Sequence, residues 1–264
     1  MTDQGLRIGI AGITGRVGRL LVEEVQAAGA VLAGGTVRDK AKATGLPEGL
    51  ALFTDMAGLA AVSDVVIDFT HADTAIPHAQ ALADHDTAWV LGTTGLSEAQ
   101  QAAVLKAAET IGVVHAANFS AGVTLVRRLA QMMGQALPAE SYDAEIVEMH
   151  HRQKVDAPSG TALAIGEAVA KGRGVALAEV KESGRDGHTG PRKPGAIGFA
   201  ALRGGQIVGE HEVLFTSADE QITLTHRAFD RRVFATGAVR AALWVQDRPA
   251  GYYGMEEVLG LPPC

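Results

Sequence analysis

The sequence contains very little cysteine and few aromatic residues. Its 264 residues include one cysteine, Cys264, and only 5% of them are aromatic. A single cysteine excludes a disulfide within the chain and a cysteine metal cluster, so we expect Cys264 to be a tail residue without function. The chain is nevertheless 47% hydrophobic, which is enough apolar material for one or two domains with ordinary cores.

The sequence also lacks a basic excess and long apolar runs. Its formal net charge is −7, which is atypical of nucleic-acid-binding proteins and disfavours an anionic membrane surface as a partner. No apolar run approaches the ~18 residues that a membrane span requires, and residues 1–6 do not resemble a secretory signal. We therefore expect a cytoplasmic protein with no nucleic-acid or membrane partner, in which a local basic cluster could still bind a small anion.

Short apolar runs alternate with helical periodicities in the first half of the chain. The pattern predicts strands at 6–11, 31–37, 62–69, 88–91 and 113–117, and helices at 16–28 and 97–110. Ser97 and Gln100 have the spacing of a capping box. Strands that alternate with helices indicate a parallel, doubly wound sheet of the α/β class.

The pattern changes after about residue 120. It predicts helices at 123–135 and 161–170, strands at 144–149, 196–203, 206–215 and 221–228, and a mobile loop at 183–195. Gly204-Gly205 predicts a hairpin, so we expect an α+β domain with a mostly antiparallel sheet. A final apolar helix at 233–245 is expected to pack on the first domain. The predicted domains are therefore 1–120 with 232–264, and 121–231.

A glycine-rich segment, GITGRVG at 12–18, joins the first predicted strand to the first predicted helix. This context directs backbone N–H groups and the positive end of the helix to one point, where a pyrophosphate can bind. Thr14 stands where the common dinucleotide fingerprint has glycine. Close packing of the helix would also explain the glycines.

The end of the second strand bears on the phosphate state of such a cofactor. NAD-binding sites usually have an acidic residue here, but position 37 is Val37 and the next residue is Arg38. Arg38, with Arg16 nearby in the loop, would suit a 2′-phosphate. Asp39 could accept from a ribose hydroxyl, which leaves NADH as an alternative, and Arg38 could equally be a solvated surface cation.

Two further segments end strands at the same expected edge of the sheet. They are Gly92-Thr93-Thr94 and Ala116-Ala117-Asn118-Phe119-Ser120. Ligands of doubly wound sheets bind outside the carboxyl ends of the strands, so both segments are candidates for cofactor contact. Ordinary strand-to-loop turns are the alternative.

The segment HHRQKVDAPSGTA at 150–162 concentrates hydrogen-bond donors between a strand and a helix. A histidine such as His150 can exchange a proton near neutral pH, and Lys154 supplies a cation. Ser159, Gly160 and Thr161 begin the helix, either as a simple N-cap or as a cradle for a carboxylate. We expect no metal, because His150 and His151 are adjacent, an HExxH motif is missing and cysteine ligands are unavailable.

Over essentially its whole length the chain resembles the 4-hydroxy-tetrahydrodipicolinate reductase (dihydrodipicolinate reductase) family of the diaminopimelate branch of lysine biosynthesis. The most specific shared motif is EMHHRQKVDAPSGTAL at 148–163. The others are GITGRVG at 12–18, VIDFT at 66–70, GTTG at 92–95, AANFS at 116–120, GHTG at 187–190, PGAIGF at 194–199 and GEH at 209–211.

The resemblance implies a Rossmann-like domain built from both chain ends and a central domain that binds substrate and forms a homotetramer. It implies hydride transfer from NADPH or NADH to a small dicarboxylate heterocycle. His150 would be the proton donor and Lys154 its partnering acid, while His151, Gly160 and Thr161 would hold a carboxylate with Ser159 adjacent. The residues implied to line the cofactor are Gly12, Ile13, Thr14, Gly15, Arg16, Val17, Arg38, Gly92, Thr93, Thr94, Ala116, Ala117, Asn118 and Phe119.

Two positions depart from the family pattern. Val17 replaces a common methionine, and Val37 stands where many members have an acidic residue that favours NADH. The second departure predicts a preference for NADPH. Two other functions are open at this stage: reduction of another small dicarboxylate on the same fold, and a non-catalytic NADP-binding redox sensor. A sensor would tolerate the loss of His150 and Lys154.

Overall fold

The computed structural model describes residues 5–262, so the prediction made for Cys264 lies outside the described residues. The chain divides into two compact units. The first unit contains the chain up to Ala121 together with the chain from Arg232 onward, and the second unit is Gly122–Arg231. Within residues 5–262, no helix has the length and apolar character needed to cross a bilayer.

The first unit contains a seven-stranded sheet in which every neighbouring pair is parallel. Numbered along the chain, its strands are β1 (Arg7–Ala11), β2 (Val31–Thr36), β3 (Leu52–Phe53), β4 (Val65–Asp68), β5 (Ala88–Leu91), β6 (Gly112–His115) and β12 (Gly251–Tyr253). The order across the sheet is β12-β6-β5-β4-β1-β2-β3. This confirms the predicted parallel α/β sheet. The edge strands β3 and β12 are too short to give a periodic signal, and the sequence analysis missed them.

Six helices accompany this sheet: α1 (Arg16–Ala27), α2 (Met56–Ala60), α3 (Ala75–Asp84), α4 (Glu98–Ala107), α8 (Arg232–Val245) and α9 (Met255–Val258). The helix α4 begins with the capping box that the sequence predicts, because Ser97 accepts from the Gln100 amide and the Gln100 side chain accepts from the Ser97 amide.

Successive residues of the central strands enter two different apolar cores. Ile8 and Ile10 of β1 pack in the core that includes α1 and α8, whereas Trp89 and Leu91 of β5 pack in the core that includes α2 and α4. The side chains of α8 at this core are mostly alanine, and small side chains allow the helix to approach closely. The sheet is therefore covered on both faces, as parallel sheets require.

The second unit contains a five-stranded sheet with the order β11-β10-β7-β9-β8. Its strands are β7 (Asp143–His150), β8 (Lys181–Ser183), β9 (Ile197–Arg203), β10 (Gly209–Thr216) and β11 (Gln221–Ala228). β10 is antiparallel to both neighbours, while the β7–β9 and β8–β9 pairs are parallel. The sheet is thus mixed rather than mostly antiparallel. A helical connection between β7 and the β8–β9 pair returns the chain in the same direction, which produces parallel pairing.

The hairpin predicted at Gly204-Gly205 is wrong, because β7 lies between β9 and β10. The two glycines instead carry the chain past the end of β7. The Gly204 amide donates to the His150 carbonyl at 2.9 Å, and the Gly205 carbonyl accepts from Arg152 at 3.3 Å. The turn therefore fixes the backbone on both sides of His151.

One face of this sheet packs on helices. They are α5 (Ala121–Ala136), α6 (Gly160–Gly172) and the short α7 (Leu177–Val180). Ile146, Val213 and Phe215 of the sheet meet Ile165 and Val169 of α6 in a single core. Glu148 and His150 follow Ile146 on the same face of β7, so the strand directs both polar side chains inward.

The predicted mobile loop at 183–195 is tied to β7 by two arginines. Arg185 makes a bidentate contact with Glu145 at 2.9 and 3.0 Å. Arg192 contacts Asp143 and Glu145, each at 2.8 Å. The composition of the loop does not reveal these ion pairs, because their partners lie 40 to 49 residues earlier in the chain.

Candidate active site

The glycine loop of the first unit is built for close approach of an anion. Gly12 has a φ of +67°, a conformation that glycine adopts without strain, and its amide donates to Thr36 Oγ1 at 2.8 Å. Gly15 is the N-cap of α1 and forms no side-chain capping bond. The first amides of α1 have no partner inside the helix, so they are available to a phosphate at its positive end.

A cavity of about 440 Å³ opens beside this loop. Its lining brings together the predicted residues Gly12, Thr14, Gly15 and Arg38. The side chain of Ile13 is fully buried in the core, so only its backbone belongs to the loop surface. Of the two remaining loop residues, Val17 packs against the core and Arg16 is exposed.

A second cavity, of about 430 Å³, adjoins Arg38 and is lined by Thr14, Val37, Arg38, Asp39 and Lys42. Asp39 accepts from the Ala41 amide at 3.0 Å and pairs with Lys42 Nζ at 3.3 Å. Its carboxylate therefore caps a short 3₁₀ turn and forms an exposed ion pair with Lys42. Arg38 and Lys42 put two cations beside one cavity, and the sequence analysis missed Lys42.

A buried carboxylate ends β4, next in sequence to residues that line the first cavity. Asp68 is 1% exposed and contacts His78 Nδ1 at 2.7 Å, and it also accepts from the Thr70 amide at 3.0 Å. Thr70, His71, Thr74 and His78 all line the cavity. The sequence analysis did not assign these residues, although VIDFT at 66–70 marked the end of the strand.

The segment after β5 lies at the same carboxyl edge of the parallel sheet but is not among the residues lining either cavity. A β-carbon on Gly92 would overlap the ring of Phe69, so glycine is required there. Thr93 is buried, and within residues 5–262 its hydroxyl has no hydrogen-bond partner. The Thr93 carbonyl contacts His115 Nε2 at 3.3 Å, while Thr94 is exposed.

The segment after β6 also lies outside the cavity linings. Ala117 is exposed, while Ala116 and Asn118 are partly buried. Phe119 is 1% exposed and its ring packs on Phe69, with a centroid distance of 5.4 Å. The side chain of Phe119 therefore belongs to the core.

In the second unit, Glu148 is the centre of a buried polar cluster. Its Oε2 lies 2.6 Å from His150 Nδ1, Arg203 donates to both carboxylate oxygens at 2.7 and 2.8 Å, and the Ser159 amide donates at 3.0 Å. Burial alone would raise the pKa of Glu148. The bonds from Arg203, His150 and Ser159 outweigh burial and hold this pKa below its usual value, so the carboxylate is ionised.

The environment of His150 favours a neutral ring. Burial lowers the pKa of His150, the nearby charges of Lys154 and Arg203 lower it further, and Glu148 only partly opposes them. A β-carbon on Gly209 would lie 3.0 Å from His150 Nε2, so glycine preserves space beside that nitrogen. His150 thus has one nitrogen bound to a carboxylate and the other beside a residue without a side chain.

The predicted residues His151 and Lys154 have partners of their own. Arg231 lies 3.4 Å from His151 Nε2, and within the described chain the buried Nδ1 of His151 has no hydrogen-bond partner. Lys154 Nζ pairs with Asp156 at 2.8 Å. Because Asp156 is about half exposed, a ligand carboxylate could take its place on Lys154.

The start of α6 combines both alternatives raised by the sequence. Ser159 is the N-cap, since its hydroxyl accepts from the Ala162 amide at 3.1 Å, and the same oxygen lies 3.1 Å from His211 Nε2. Ser159 therefore has a structural role. Gly160 is exposed, and apart from its neighbours in the chain and the backbone of its own turn, no described protein atom lies within 4 Å of the position of an added β-carbon. Space therefore remains at the positive end of the helix.

His211 supports this cluster from β10. It is 4% exposed, and its ring lies 5.2 Å from that of His150. Burial, with a smaller effect from His150, lowers the pKa of His211 to about 4, so this side chain is neutral at physiological pH. The sequence analysis missed Glu148, Arg203, His211 and Arg231. Glu148 could have been found from its i, i+2 spacing to His150 on one strand.

The buried cluster around Glu148 is formed by hydrogen bonds and ion pairs. Within residues 5–262, no group of three or more His, Cys, Asp or Glu side chains is arranged to hold a metal ion. The carboxylate of Glu148 is instead saturated by an arginine, a histidine and an amide. The cluster is therefore suited to proton transfer and anion binding.

Comparison with known proteins gives the same assignment along the whole chain. Residues 6–119 match the family described as "Dihydrodipicolinate reductase, N-terminus", and residues 122–259 match "Dihydrodipicolinate reductase, C-terminus". Among solved structures, a dipicolinate-bound dihydrodipicolinate reductase from Paenisporosarcina sp. TG-14 is similar with a TM-score of 0.79. It is 24% identical and covers 96% of this chain and 99% of its own, which establishes a shared fold.

Curated relatives are much closer in sequence. The 4-hydroxy-tetrahydrodipicolinate reductase of Gluconacetobacter diazotrophicus is 66% identical over 99% of this chain and 100% of its own length. That of Granulibacter bethesdensis is 60% identical over 98% of this chain and 99% of its own. The resemblance stated from the motifs is confirmed, and the chain belongs to the dihydrodipicolinate reductase family of oxidoreductases.

Proposed function

We propose that this chain reduces 4-hydroxy-tetrahydrodipicolinate, through its dehydrated form dihydrodipicolinate, to tetrahydrodipicolinate. The observation that carries the proposal is the cluster in which His150, ionised Glu148 and Lys154 lie in the motif leading to the open N-terminus of α6. An acid–base group, a cation and a helix end together suit a dianionic substrate that must be protonated. The names of the close relatives support the same reaction.

The first unit would bind a nicotinamide dinucleotide. The uncapped start of α1, the glycine at Gly12 and the adjoining cavity fit the pyrophosphate of such a cofactor. We propose a preference for NADPH because Arg38 and Lys42 flank one cavity. Position 37, where NAD-binding sites usually have an acidic residue that accepts from the ribose hydroxyls, is a valine.

When bound, the cofactor supplies hydride to one carbon of the conjugated imine. The protein must deliver a proton to the neighbouring carbon, and we assign this step to Nε2 of His150. Since burial keeps unliganded His150 mostly neutral, a nearby dianion would favour its protonated form before transfer. Lys154 would exchange Asp156 for substrate and offset the negative charge that develops during reduction.

One substrate carboxylate would lie at the start of α6. Gly160 and Thr161 are the first residues of that helix, at its positive end. His151 would contribute its buried Nδ1, which has no protein partner among the described residues. The helix end contributes about 0.3–1 kcal/mol at exposed sites, so the cations must supply the rest of the affinity.

The two units would have different roles in the enzyme. We assign cofactor binding to the unit built from both chain segments, and substrate binding and homotetramer formation to the unit 122–231. A cytoplasmic location remains a prediction from the sequence.

The proposed function is tested by loss of NADPH absorbance in the presence of substrate. The substrate would be generated in situ by the upstream synthase from pyruvate and aspartate semialdehyde. We expect rapid oxidation by the wild type and a loss of at least about 100-fold in kcat for His150→Gln and Lys154→Ala. NADPH binding, followed by fluorescence, should persist in both variants. A folded, NADPH-binding wild type that oxidises no NADPH would contradict the substrate assignment.

A further inference from the structure

We propose that Glu148, clamped by Arg203, is a positioning residue that fixes the ring of His150 as the Nδ1–H tautomer and leaves Nε2 for proton exchange. The inference rests on the proposed function for its role in catalysis. The tautomer itself is a property of the protein without substrate. It can therefore be tested separately.

Among the described residues, every hydrogen-bond partner of the Glu148 carboxylate except His150 is an obligate donor. Arg203 donates through two nitrogens, and the Ser159 amide donates through one. An arginine and a backbone amide cannot accept a hydrogen bond. Glu148 must therefore remain ionised and face Nδ1 of His150 as an acceptor.

The ionised carboxylate determines which nitrogen of the His150 ring carries the proton. A neutral imidazole carries its proton on one nitrogen, and the ionised carboxylate 2.6 Å from Nδ1 places that proton on Nδ1. Within residues 5–262, no protein hydrogen bond is formed by Nε2, which lies beside Gly209. The lone pair is consequently at Nε2, which is the nitrogen that takes up a proton when the ring becomes charged.

The pair of Glu148 and Arg203 also connects His150 to the start of α6, where a substrate carboxylate would bind. Oε1 of Glu148 accepts from the amide of Ser159, the residue that caps α6, while Arg203 also donates to the Asp156 carbonyl at 2.6 Å. One carboxylate therefore holds His150 and both ends of the segment that leads into α6. The contacts of Glu148 with His150 and Arg203 join residues of β7 and β9, so these contacts do not depend on a loop conformation.

Other charged and titratable groups also face His150. They are Lys154 and, through it, Asp156 in the loop, Arg203 on β9 and His211 on β10, with His226 of β11 beyond His211. Lys154 and Arg203 disfavour the charged ring, and His211 is neutral at physiological pH. Glu148 is the group that favours the charged ring, so its removal should make His150 harder to protonate.

The decisive experiment is a long-range ¹⁵N–¹H NMR spectrum of the full-length protein without substrate. The His150 signals are identified by their loss in His150→Gln. We expect the wild type at pH 8 to show the Nδ1–H pattern. In Glu148→Gln the amide oxygen should be taken by Arg203 and Ser159, which leaves the amide NH₂ facing His150. Since only a ring lone pair can accept from that NH₂, the tautomer should invert to Nε2–H.

Kinetics test the catalytic consequence. We expect Glu148→Gln to lower kcat about 100-fold with less than a threefold change in KM, and to move the limb of the pH profile due to His150 at least half a pH unit toward acid. Glu148→Asp should recover part of kcat, because a shorter carboxylate can still accept from Nδ1. If Glu148 had a purely structural role, Glu148→Gln would lower the yield of folded protein but would not move the limb of the pH profile due to His150.

The matched control is Glu145→Gln. Glu145 also lies on β7 and is also held by arginines, but it contacts neither His150 nor Ser159. It should keep the wild-type tautomer and pH profile. A wild-type His150 found as Nε2–H, or the same tautomer in wild type and Glu148→Gln, would overturn the proposal. A correct tautomer in a protein that oxidises no NADPH would instead overturn the proposed function alone.

Discussion

Gly209 lies directly beside the ring of His150: a β-carbon added to Gly209 would be 3.0 Å from Nε2. Such a contact is tighter than ordinary van der Waals distance, so the ring would have to move by a few tenths of an ångström. His150 cannot move freely, because Glu148 holds its other nitrogen at 2.6 Å.

We therefore expect Gly209→Ala to lower kcat by about tenfold, since small misplacements of a catalytic group are costly. The midpoint of thermal unfolding should change by only a few degrees. Gly204→Ala is the matched control, because no atom lies within 4 Å of its added carbon. Steady-state kinetics and thermal melts of both variants provide the test. Equal activity in the two would show that Nε2 needs no such space.

Gly160 offers a cleaner test of whether a substrate carboxylate binds at the start of α6. Apart from its neighbours in the chain and the backbone of its own turn, an added β-carbon meets no described protein atom within 4 Å, so Gly160→Ala should fold normally and could even stabilise the first turn of α6. If a carboxylate binds at this helix end, the methyl group would occupy part of its space.

The expected result for Gly160→Ala is a rise of about tenfold in the Kd of a pyridine-2,6-dicarboxylate probe, measured by calorimetry. The KM for substrate should rise with it, while NADPH affinity stays unchanged. Unaltered affinity for the probe would place the carboxylate elsewhere.

Cofactor preference should depend on the charges around Asp39. Arg38→Ala should weaken NADPH binding by about tenfold or more, because a charge-assisted contact to the 2′-phosphate contributes roughly 1.5–3 kcal/mol. NADH has no such phosphate, so its affinity should be unaffected.

Lys42→Ala should act in two directions. It removes a cation from the cavity, and it releases Asp39 from an ion pair of 3.3 Å, so NADPH should bind less tightly and NADH more tightly. Lys40→Ala, in the same short turn, serves as the control. Fluorescence titrations with both cofactors measure the effect. If Lys42→Ala lowered the affinities for NADPH and NADH equally, the result would argue against a 2′-phosphate site.

His211 should make the protein sensitive to acid. Its pKa is about 4 in the folded protein, against 6.5 for an ordinary histidine, so between these values the unfolded chain binds a proton that the folded protein does not. The stability contribution is fully present above pH 6.5 and is lost as the pH falls toward 4. The loss approaches about 3 kcal/mol.

Urea denaturation at intervals between pH 7 and pH 4.5 would measure this effect. His211→Gln should reduce the slope of unfolding free energy against pH, although it also loses the contact to Ser159. His85→Gln, at an exposed histidine, should keep the wild-type slope. An unchanged slope in His211→Gln would mean that another group dominates the acid sensitivity.

The sequence predicted local features well where the signal was short-range. The capping box at Ser97, the parallel strands and the concentration of donors at His150–Lys154 all depend on residues close together in the chain. The pairing of β9 with β7, by contrast, is decided by a crossover through α6. Gly204-Gly205 has hairpin composition, but its neighbours in sequence are not neighbours in the sheet.

The same limit applies to the site. Arg203 is 55 residues from Glu148 in the sequence but donates to its carboxylate. Lys42 is a candidate cofactor residue only because it lines a cavity together with the distant residue Thr14. Ile13 and Phe119 show the opposite case, because they belong to predicted cofactor segments but their side chains are in the core. Motifs indicate which segment approaches a ligand, whereas the fold decides which atoms of the segment can touch it.

The helix α8 has a consequence for synthesis on the ribosome. Its residues Ala235, Ala238 and Ala242 complete the core around Ile8 and Ile10, yet they are translated more than 220 residues later. Until α8 emerges, one face of the parallel sheet has no cover from it, while all of Gly122–Arg231 has already been made. The inserted unit can therefore close during translation, whereas the sheet that begins the chain must wait for the helix near its end.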